Sequence, residues 1–176
     1  MTDEKNRTLT PLAENFGTPV TPKNAASLMI YRQDGDDLRI LMGKRGAKAK
    51  FIPDAYVFPG GRYEKRYDEN RHKTQAIELP RQLAKHIGQT KLCADIASGL
   101  VQASLRETNE ETGLDYSKNV ISKMTFIGRA ITPKTSPIRF HARFFACPAD
   151  CFYGELGGDG ELSHLHWPTI DEALEN

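Results

Sequence analysis

Three glutamates within five positions form the part of the sequence best suited to do chemistry. The stretch LRETNEETG carries Glu107, Glu110 and Glu111. At about 3.6 residues per helical turn, the spacing i, i+3, i+4 places all three carboxylates on one face of a helix. Like charges on one face repel each other unless a cation lies between them, and hard oxygen ligands suit Mg²⁺ or Mn²⁺ rather than zinc. A solvated acidic face is the alternative, because charge runs usually line exposed surfaces.

The helix predicted to carry these glutamates also has an apolar stripe. The stripe consists of Val101, Leu105, Thr108 and Thr112. Its spacing predicts a helix over residues 97–112 that docks on a core. Arg106 lies four residues before Glu110, within reach of that carboxylate. Gly113 can take the left-handed conformation that ends a helix, after which Leu114 would fold back onto the core.

Short apolar and alternating runs predict strands on both sides of this helix. The predicted strands are AASLMIYR and LRILMGKR, which flank the turn QDGDD, then AYVF, MTFIGRAI, RFHARFFAC and HLHW. Leu79, Leu83 and Ile87 recur every four residues and predict a further helix. TIDEALEN begins another, in which Thr169 and Glu172 have the spacing of a capping box. Strands mixed with helices predict an α/β layer fold.

Composition excludes several classes of protein. The chain has 176 residues with 39% hydrophobic and 27% charged residues, which predicts one globular domain. A net charge of +1 without a basic stripe argues against nucleic-acid binding, and the short apolar runs argue against a membrane span. Three cysteines without a framework spacing predict a reducing, cytoplasmic location. Residues 1–24 are predicted to be a mobile arm without a secretory signal, and residues 25–176 a single domain.

Two separated stretches, VFPGG and RETNEETGL, resemble the two ends of the Nudix box. That family signature reads Gly, five residues, Glu, seven residues, then Arg-Glu-U-x-Glu-Glu-x-Gly-U, where U is a bulky aliphatic residue. Gly61 matches the opening glycine, and the second stretch matches the closing half with Thr108 at a U position. Residues 62–105 separate the halves by 44 positions, where the contiguous pattern has thirteen. Counted back from the arginine, Ser98 stands where the middle glutamate would be.

An interrupted box of this kind resembles that of one Nudix branch, which contains the peroxisomal coenzyme A diphosphatases and their bacterial relatives. The similarity extends over about residues 24–174. It implies a Nudix fold, an α/β/α sandwich around a mixed sheet with an inserted helical segment. It also implies hydrolysis of a diphosphate bond in nucleoside diphosphate-linked compounds, with coenzyme A or acyl-coenzyme A as candidates. Thr108 and the interruption leave open a catalytically weak nucleotide-binding module.

The resemblance also implies a metal site. It assigns metal ligation to Glu107, Glu110, Glu111 and the backbone carbonyl of Gly60, with Mg²⁺ or Mn²⁺ as the cofactor. Arg106 would orient the carboxylates from behind, and together with Glu107 and Glu110 it makes up the expected catalytic group.

A general base and close contacts to the substrate are also expected. Glu161 in GGDGEL is the best placed candidate base, with Glu155 as the alternative, and an exposed loop acid is the ordinary interpretation of either. Gly61, next to Gly60, would let the main chain approach the phosphates closely.

Arginines are the candidate phosphate-binding residues. In RFHARFFA, alternation places Arg139, His141 and Arg143 on one strand face, opposite Phe140, Ala142 and Phe144. Arg139 or Arg143 would then grip a diphosphate in bidentate fashion, unless this face is simply exposed to solvent. Arg45 resembles an arginine near the phosphates in coenzyme A-type Nudix enzymes.

Residues 62–96, the insertion, are too long for an ordinary connection. The insertion would either close over an anionic substrate or form a homodimer contact, and the sequence leaves both open.

A structural zinc site is a competing prediction. Cys147 and Cys151, together with His164 and His166, offer four possible ligands. The histidines lie two residues apart, whereas structural zinc sites commonly space them by three to five. Buried cysteines without a ligand are the simpler interpretation.

Overall fold

The structure, a computed structural model, describes residues 20–68, 79–88 and 94–175. The strands are β1 (Lys23–Asp34), β2 (Asp37–Ile40), β3 (Met42–Arg45), β4 (Tyr56–Val57), β5 (Gly60–Arg62), β6 (Asp115–Tyr116), β7 (Thr125–Ile131), β8 (Phe140–Pro148), β9 (Phe152–Tyr153) and β10 (Leu162–His166). The helices are α1 (Arg81–Gly88), α2 (Ala94–Thr112), α3 (Val120–Lys123) and α4 (Ile170–Glu175), with a 3₁₀ turn at Ala149–Cys151. Residues 65–68 are also helical.

Strand β1 is the centre of the main sheet, whose order is β2-β1-β8-β7 with β5 also paired to β1. It runs parallel to β8 and antiparallel to β2 and β5, so the sheet is mixed, as predicted. Along its other edge, β1 pairs first with the diglycine strand β5 and then, beyond it, with β2. Two smaller sheets, β10-β3-β4 and β6-β9, complete the strands.

Helix α2 packs on β1 and β5 through the predicted apolar stripe. Val101 and Leu105 are fully buried, against core residues of the sheet such as Leu28. Thr108 is also fully buried, and its hydroxyl donates to the backbone carbonyl of Ser104 at 2.8 Å. A threonine therefore serves in the stripe because its methyl group packs while its hydroxyl is satisfied four residues back.

The predicted element ends are confirmed. Gly113 takes a φ of +74° after the last residue of α2, and Leu114 is buried in the core. The capping box of α4 is formed, because Thr169 N–H donates to Glu172 Oε2 at 2.7 Å and Glu172 N–H to Thr169 Oγ1 at 3.2 Å. The helix predicted from Leu83 and its neighbours is α1.

Parts of two predicted segments lie outside the described residues. Of the predicted N-terminal arm, residues 1–19 are not described, and residues 23 and 24 belong to β1. Of the insertion, the structure describes residues 62–68, 79–88 and 94–96. The fold class is mixed α/β around a mixed sheet, with α1 inside the insertion.

Candidate functional site

The diglycine of β5 and the acidic face of α2 meet in space. The backbone N–H of Gly60 donates to Glu111 Oε2 at 2.7 Å. A Cβ on Gly61 would overlap the carboxylate of Glu107, and one on Gly60 would overlap the backbone of β1 at Ser27. Both positions must therefore be glycine for β5 to lie between β1 and α2. The predicted meeting of the two box halves is confirmed for Gly60 and Glu111.

Arg106 lies behind this contact and joins several acids. Its NH1 group is 2.9 Å from both Glu107 Oε1 and Glu110 Oε2, so it reaches Glu110 as the spacing of the two residues predicted. Its Nε donates to Asp68 Oδ1 at 3.1 Å, and NH2 donates to the carbonyl of Arg62 at 3.3 Å. Burial alone would lower the pKa of Arg106, but the hydrogen bond to Asp68 and the nearby carboxylates outweigh it and raise that pKa. The guanidinium is thus a permanent cation that holds the acids in place.

Asp68 is a functional candidate that the sequence reasoning missed. It is fully buried, and its Oδ2 accepts the backbone N–H of Glu64 at 2.6 Å while Oδ1 binds Arg106. Counted back from Arg106, the position of the middle glutamate is occupied by Ser98. A count forward from Gly61 reaches Tyr67 at the expected position and Asp68 next to it. The acid that meets Arg106 therefore comes from the diglycine side of the interruption.

The three glutamates of α2 differ in environment. Glu111 is 2% exposed, whereas the side chain of Glu110 is 46% exposed. Burial, with the charges of Glu107 and Glu161 beside it, raises the pKa of Glu111 to about 8, although the Gly60 N–H opposes this. Burial likewise raises the pKa of Glu107, against the opposing effect of Arg106. Carboxylates that are buried close to like charges are destabilised as anions, which a nearby divalent cation would relieve.

The carboxylate oxygens of this site are the ligand type that Mg²⁺ or Mn²⁺ prefers, but the side chains do not converge on one point. Within the described ranges, no group of three or more His, Cys, Asp or Glu side chains converges as a metal site would require. Glu107 and Glu111 lie against the diglycine, whereas Glu110 is drawn to Arg106. Gly60 presents its N–H to Glu111, and its predicted role as a carbonyl ligand stays a prediction.

Glu161 lies close to this centre. Its Oε1 pairs with Arg45 NH2 at 3.1 Å, and its charge raises the pKa values of both Glu107 and Glu111. The alternative base, Glu155, is exposed on the preceding loop. The structure thus brings Glu161 and Arg45 to the acidic face of α2.

The loop over residues 154–160 positions Glu161 by docking on the end of α2. The backbone N–H groups of Gly157 and Asp159 donate to the carbonyls of Thr112 and Glu110, each at 2.8 Å. These carbonyls have no partner inside the helix, so the loop satisfies them. Gly158 has a φ of +93°, and a Cβ there would overlap the carbonyl of Glu111.

The predicted alternation of β8 is confirmed, but its arginines lie away from the cavity beside the diglycine. That cavity of about 350 Å³ is lined by Phe140, Ala142 and Phe144, with Arg45 and Arg62 as its arginines. Arg139 instead donates to the carbonyls of Thr132 and Val20.

Arg143 is likewise engaged elsewhere and is 1% exposed. It donates to Asn24 Oδ1 at 2.7 Å and to the carbonyl of His141 at 2.6 Å. Burial, with the charge of Arg129 nearby, lowers the pKa of Arg143 to about 10. Arg62, which the sequence reasoning did not select, stands at the cavity because it directly follows the diglycine.

The cysteines of the predicted zinc site lie in β8 and the 3₁₀ turn that follows it, whereas both histidines lie in β10 of a smaller sheet. Cys147 lies in β8 and is fully buried, and burial raises its pKa. His166 lies in β10, where its ring packs edge-on against Tyr56 with centroids 4.9 Å apart. Cys147 and His166 therefore serve in packing.

The comparisons with known proteins agree with this geometry. No family model matches the chain. A Caenorhabditis elegans protein named as a candidate nudix hydrolase, number 7, is 27% identical over 169 residues, which cover 87% of this chain. The chain spans about half the length of that relative, 53%.

Across the described ranges, no helix has the length and apolar character needed to cross a membrane.

Solved structures give the same fold. A NUDIX hydrolase from Alicyclobacillus acidocaldarius superposes with a TM-score of 0.67 at 23% identity, covering 88% of this chain and 82% of the other. A MutT NUDIX hydrolase from Burkholderia pseudomallei gives 0.54 at 18% identity and covers 87% of each chain. The NUDIX domain of Shewanella oneidensis NrtR, solved with ADP ribose, gives 0.56 at 12% identity and covers 89% of this chain and 78% of the other. The chain therefore has the Nudix fold, and its sequence is similar to that of a protein named as a nudix hydrolase.

Proposed function

We propose that this chain is a divalent-metal-dependent hydrolase that cleaves a diphosphate bond in nucleoside diphosphate-linked compounds. The hydrogen bond between Gly60 N–H and the Glu111 carboxylate carries the proposal. It joins the two halves of an interrupted Nudix box, although 50 residues separate these two positions in the chain, residues 61–110. A buried carboxylate is costly unless it is both hydrogen-bonded and paired with a cation; Gly60 supplies a hydrogen bond to Glu111, and a bound metal ion would supply the cation.

Each residue of the site has a proposed role in this chemistry. Glu107, Glu110, Glu111 and the carbonyl of Gly60 would hold Mg²⁺ or Mn²⁺. When bound, the cation neutralises the diphosphate, polarises a phosphoryl oxygen and lowers the pKa of a water molecule. Arg106 keeps the carboxylates oriented from the buried side of the helix.

Glu161 is the proposed general base. Its carboxylate would accept a proton from the water that attacks phosphorus, while the bond from phosphorus to the leaving phosphate oxygen breaks. Its ion pair with Arg45 supports this role, because the arginine fixes the carboxylate beside the cavity.

The substrate is proposed to be a nucleotide derivative. The NrtR domain with the same fold was solved with ADP ribose, which supports this class. Arg45 and Arg62 stand at the cavity and would contact the phosphates, in place of Arg139 and Arg143. Coenzyme A and acyl-coenzyme A belong to the class to be tested, on the strength of the interrupted box and Arg45.

A nucleotide-binding module without strong catalysis is the second candidate. Arg106 pairs with both Glu107 and Glu110, and these pairs must adjust before both carboxylates can bind a cation. A protein in which they stayed closed would bind a nucleotide without hydrolysing it.

Hydrolysis assays with and without Mn²⁺ distinguish the two candidates. The panel would contain coenzyme A, NADH, ADP-ribose and diadenosine polyphosphates. We expect Mn²⁺-dependent turnover of at least one compound, reduced roughly 100-fold or more by Glu110→Gln. Glu175→Gln is the matched control, since Glu175 is exposed at the end of α4, away from the site. Binding without turnover would favour the module, and near-normal turnover of Glu110→Gln would rule out the metal site.

We also infer a single domain over residues 25–176 and a cytoplasmic location. The insertion at residues 62–96 would either close over the anionic substrate or form a homodimer contact. Three cysteines without a framework spacing support the cytoplasmic location. Light scattering tests the dimer, because a monomeric mass at assay concentrations would contradict it.

A further inference from the structure

The cavity beside the diglycine is built largely from aromatic rings. Its volume of about 350 Å³ lies within the range of small-molecule sites. The aromatic residues that line it are Phe51, Tyr56, Phe58, Phe140 and Phe144. They come from the segment between β3 and β5 and from the aromatic face of β8. A flat ring is the ligand shape that such walls suit best.

The cavity has few polar side chains, and its two arginines are paired with glutamates. Among the described lining residues, the polar side chains are Ser27, Arg45, Tyr56 and Arg62. Arg45 pairs with Glu161, and Arg62 with Glu64 at 2.9 Å. Ser27 Oγ lies close to Gly60, because a Cβ added to Gly60 would be 2.6 Å from this oxygen. No side chain of Asn, Gln, Asp or Glu, which read base edges by paired hydrogen bonds, belongs to the described lining. Arginine also reads base edges, but Arg45 and Arg62 are each paired with a glutamate and are proposed to contact the phosphates.

Phe51 is held in a defined place at one wall. Its ring meets Phe140 edge to face, with centroids 4.9 Å apart and an interplanar angle of 73°. The next residue, Ile52, has a φ of +47°, which is unusual for a β-branched residue. Such a conformation persists where the surrounding structure determines it, so the segment that presents Phe51 is shaped for that position.

We propose that this cavity binds the nucleobase of the substrate by ring stacking and shape, so that hydrolysis tolerates all four bases. The inference rests on the proposed diphosphate hydrolysis and names how the same site selects its substrate. Stacking does not distinguish bases strongly, because every base has a π-face. Gly60 and Gly61 also line the cavity, so a base there would be adjacent to the phosphates at the acidic face of α2.

A series that varies only the base tests the proposal. The substrates are ADP-glucose, GDP-glucose, CDP-glucose and UDP-glucose with Mn²⁺. We expect KM values within about tenfold of one another. Phe51→Leu keeps an apolar side chain but removes the ring, and it should raise all four KM values together, roughly 5- to 100-fold, with a smaller change in kcat. Tyr153→Leu is the matched control, since Tyr153 is 59% exposed and lies outside the cavity.

Binding without turnover provides a second measurement. Calorimetric titration of AMP, GMP, CMP and UMP should show similar affinities that Phe51→Leu weakens in parallel. A preference of more than 100-fold for one base, with hydrolysis intact, would overturn this inference and leave the proposed function standing. Failure to hydrolyse any nucleoside diphosphate compound would instead contradict the proposed function, while the titration still reports on the cavity.

An apolar chain is the competing occupant. If the cavity took an acyl group, acyl-coenzyme A would have a much lower KM than coenzyme A, and Phe51→Leu would leave that advantage in place. That result would also overturn the proposal. The leucine of Phe51→Leu can pack against a flexible acyl chain as the phenyl ring does, but it cannot stack on a nucleobase.

Discussion

At the residue scale, Arg106 connects the interruption to the chemistry. Its guanidinium binds Asp68 on one side and Glu107 and Glu110 on the other, and it is 9% exposed. A buried arginine stays charged, so each partner acid is fixed by a permanent cation. Removal of one partner would leave a buried charge less well compensated and its remaining partners less well placed.

We expect Asp68→Asn to lower kcat about 10- to 100-fold, because Arg106 would lose the carboxylate that orients it. Stability should fall by about 1–3 kcal/mol, since a buried charged hydrogen bond is weakened. Steady-state kinetics and thermal unfolding measure the two effects. Asp36→Asn is the control, because it makes the same change at an exposed position in the turn between β1 and β2. An unchanged kcat in a destabilised Asp68→Asn protein would show that Asp68 has only a structural role.

At the scale of elements, the end of α2 and the loop over residues 154–160 form one unit. The loop covers helix carbonyls with its own N–H groups and delivers Glu161 to the start of β10. Its path depends on Gly158, whose positive φ places the backbone directly on Glu111. The helix therefore positions the candidate base as well as the candidate metal ligands.

Gly158→Ala should disturb this unit. A methyl group there meets the carbonyl of Glu111, and a positive φ costs a residue with a Cβ roughly 1–3 kcal/mol. We expect the melting temperature to fall by several degrees and turnover to fall further than in the control Gly157→Ala, because Glu161 would move. Gly157 has open space at its Cβ position, so its alanine variant should behave like the unmodified protein. Equal behaviour of the two variants would contradict the proposed coupling.

At the scale of the whole molecule, the fold brings together like charges that are far apart in sequence. Glu107 and Glu111 come from α2, and Glu161 comes from the loop before β10. The charge of Glu161 contributes to the raised pKa values of both Glu107 and Glu111. β5 holds the diglycine against the same face by pairing with β1. A cation that bound there would add its binding free energy to the stability of the folded chain.

We expect Mn²⁺ to raise the melting temperature. At about 100 times its Kd, a bound ion stabilises the folded state by about 2.7 kcal/mol, or roughly 5–10 °C for a domain of this size. Glu111→Gln should remove most of this shift, since it replaces a charged ligand beside Gly60. Calorimetry with Mn²⁺ and with excess chelator measures it. An equal shift in the variant would place the ion elsewhere.

Several features were determined by the sequence, because they depend on residues that are close together in the chain. The apolar stripe of α2, its end at Gly113 and the capping box of Thr169 with Glu172 all follow from periodicity and local hydrogen bonding. The alternation of β8 was predictable for the same reason. The family resemblance added the pairing of the diglycine with the acidic helix, which local patterns alone do not give.

Only the tertiary structure decided which of these residues meet. The sequence could not show which face of β8 lines the cavity, because both faces alternate equally well. In the structure Arg143 lies on the other face, where it binds Asn24. It could not join Asp68 to Arg106, since that contact spans 38 positions. Nor could it separate buried Glu111 from exposed Glu110. Contacts between distant segments depend on how whole elements pack against each other, and that information is not present in any short stretch of the chain.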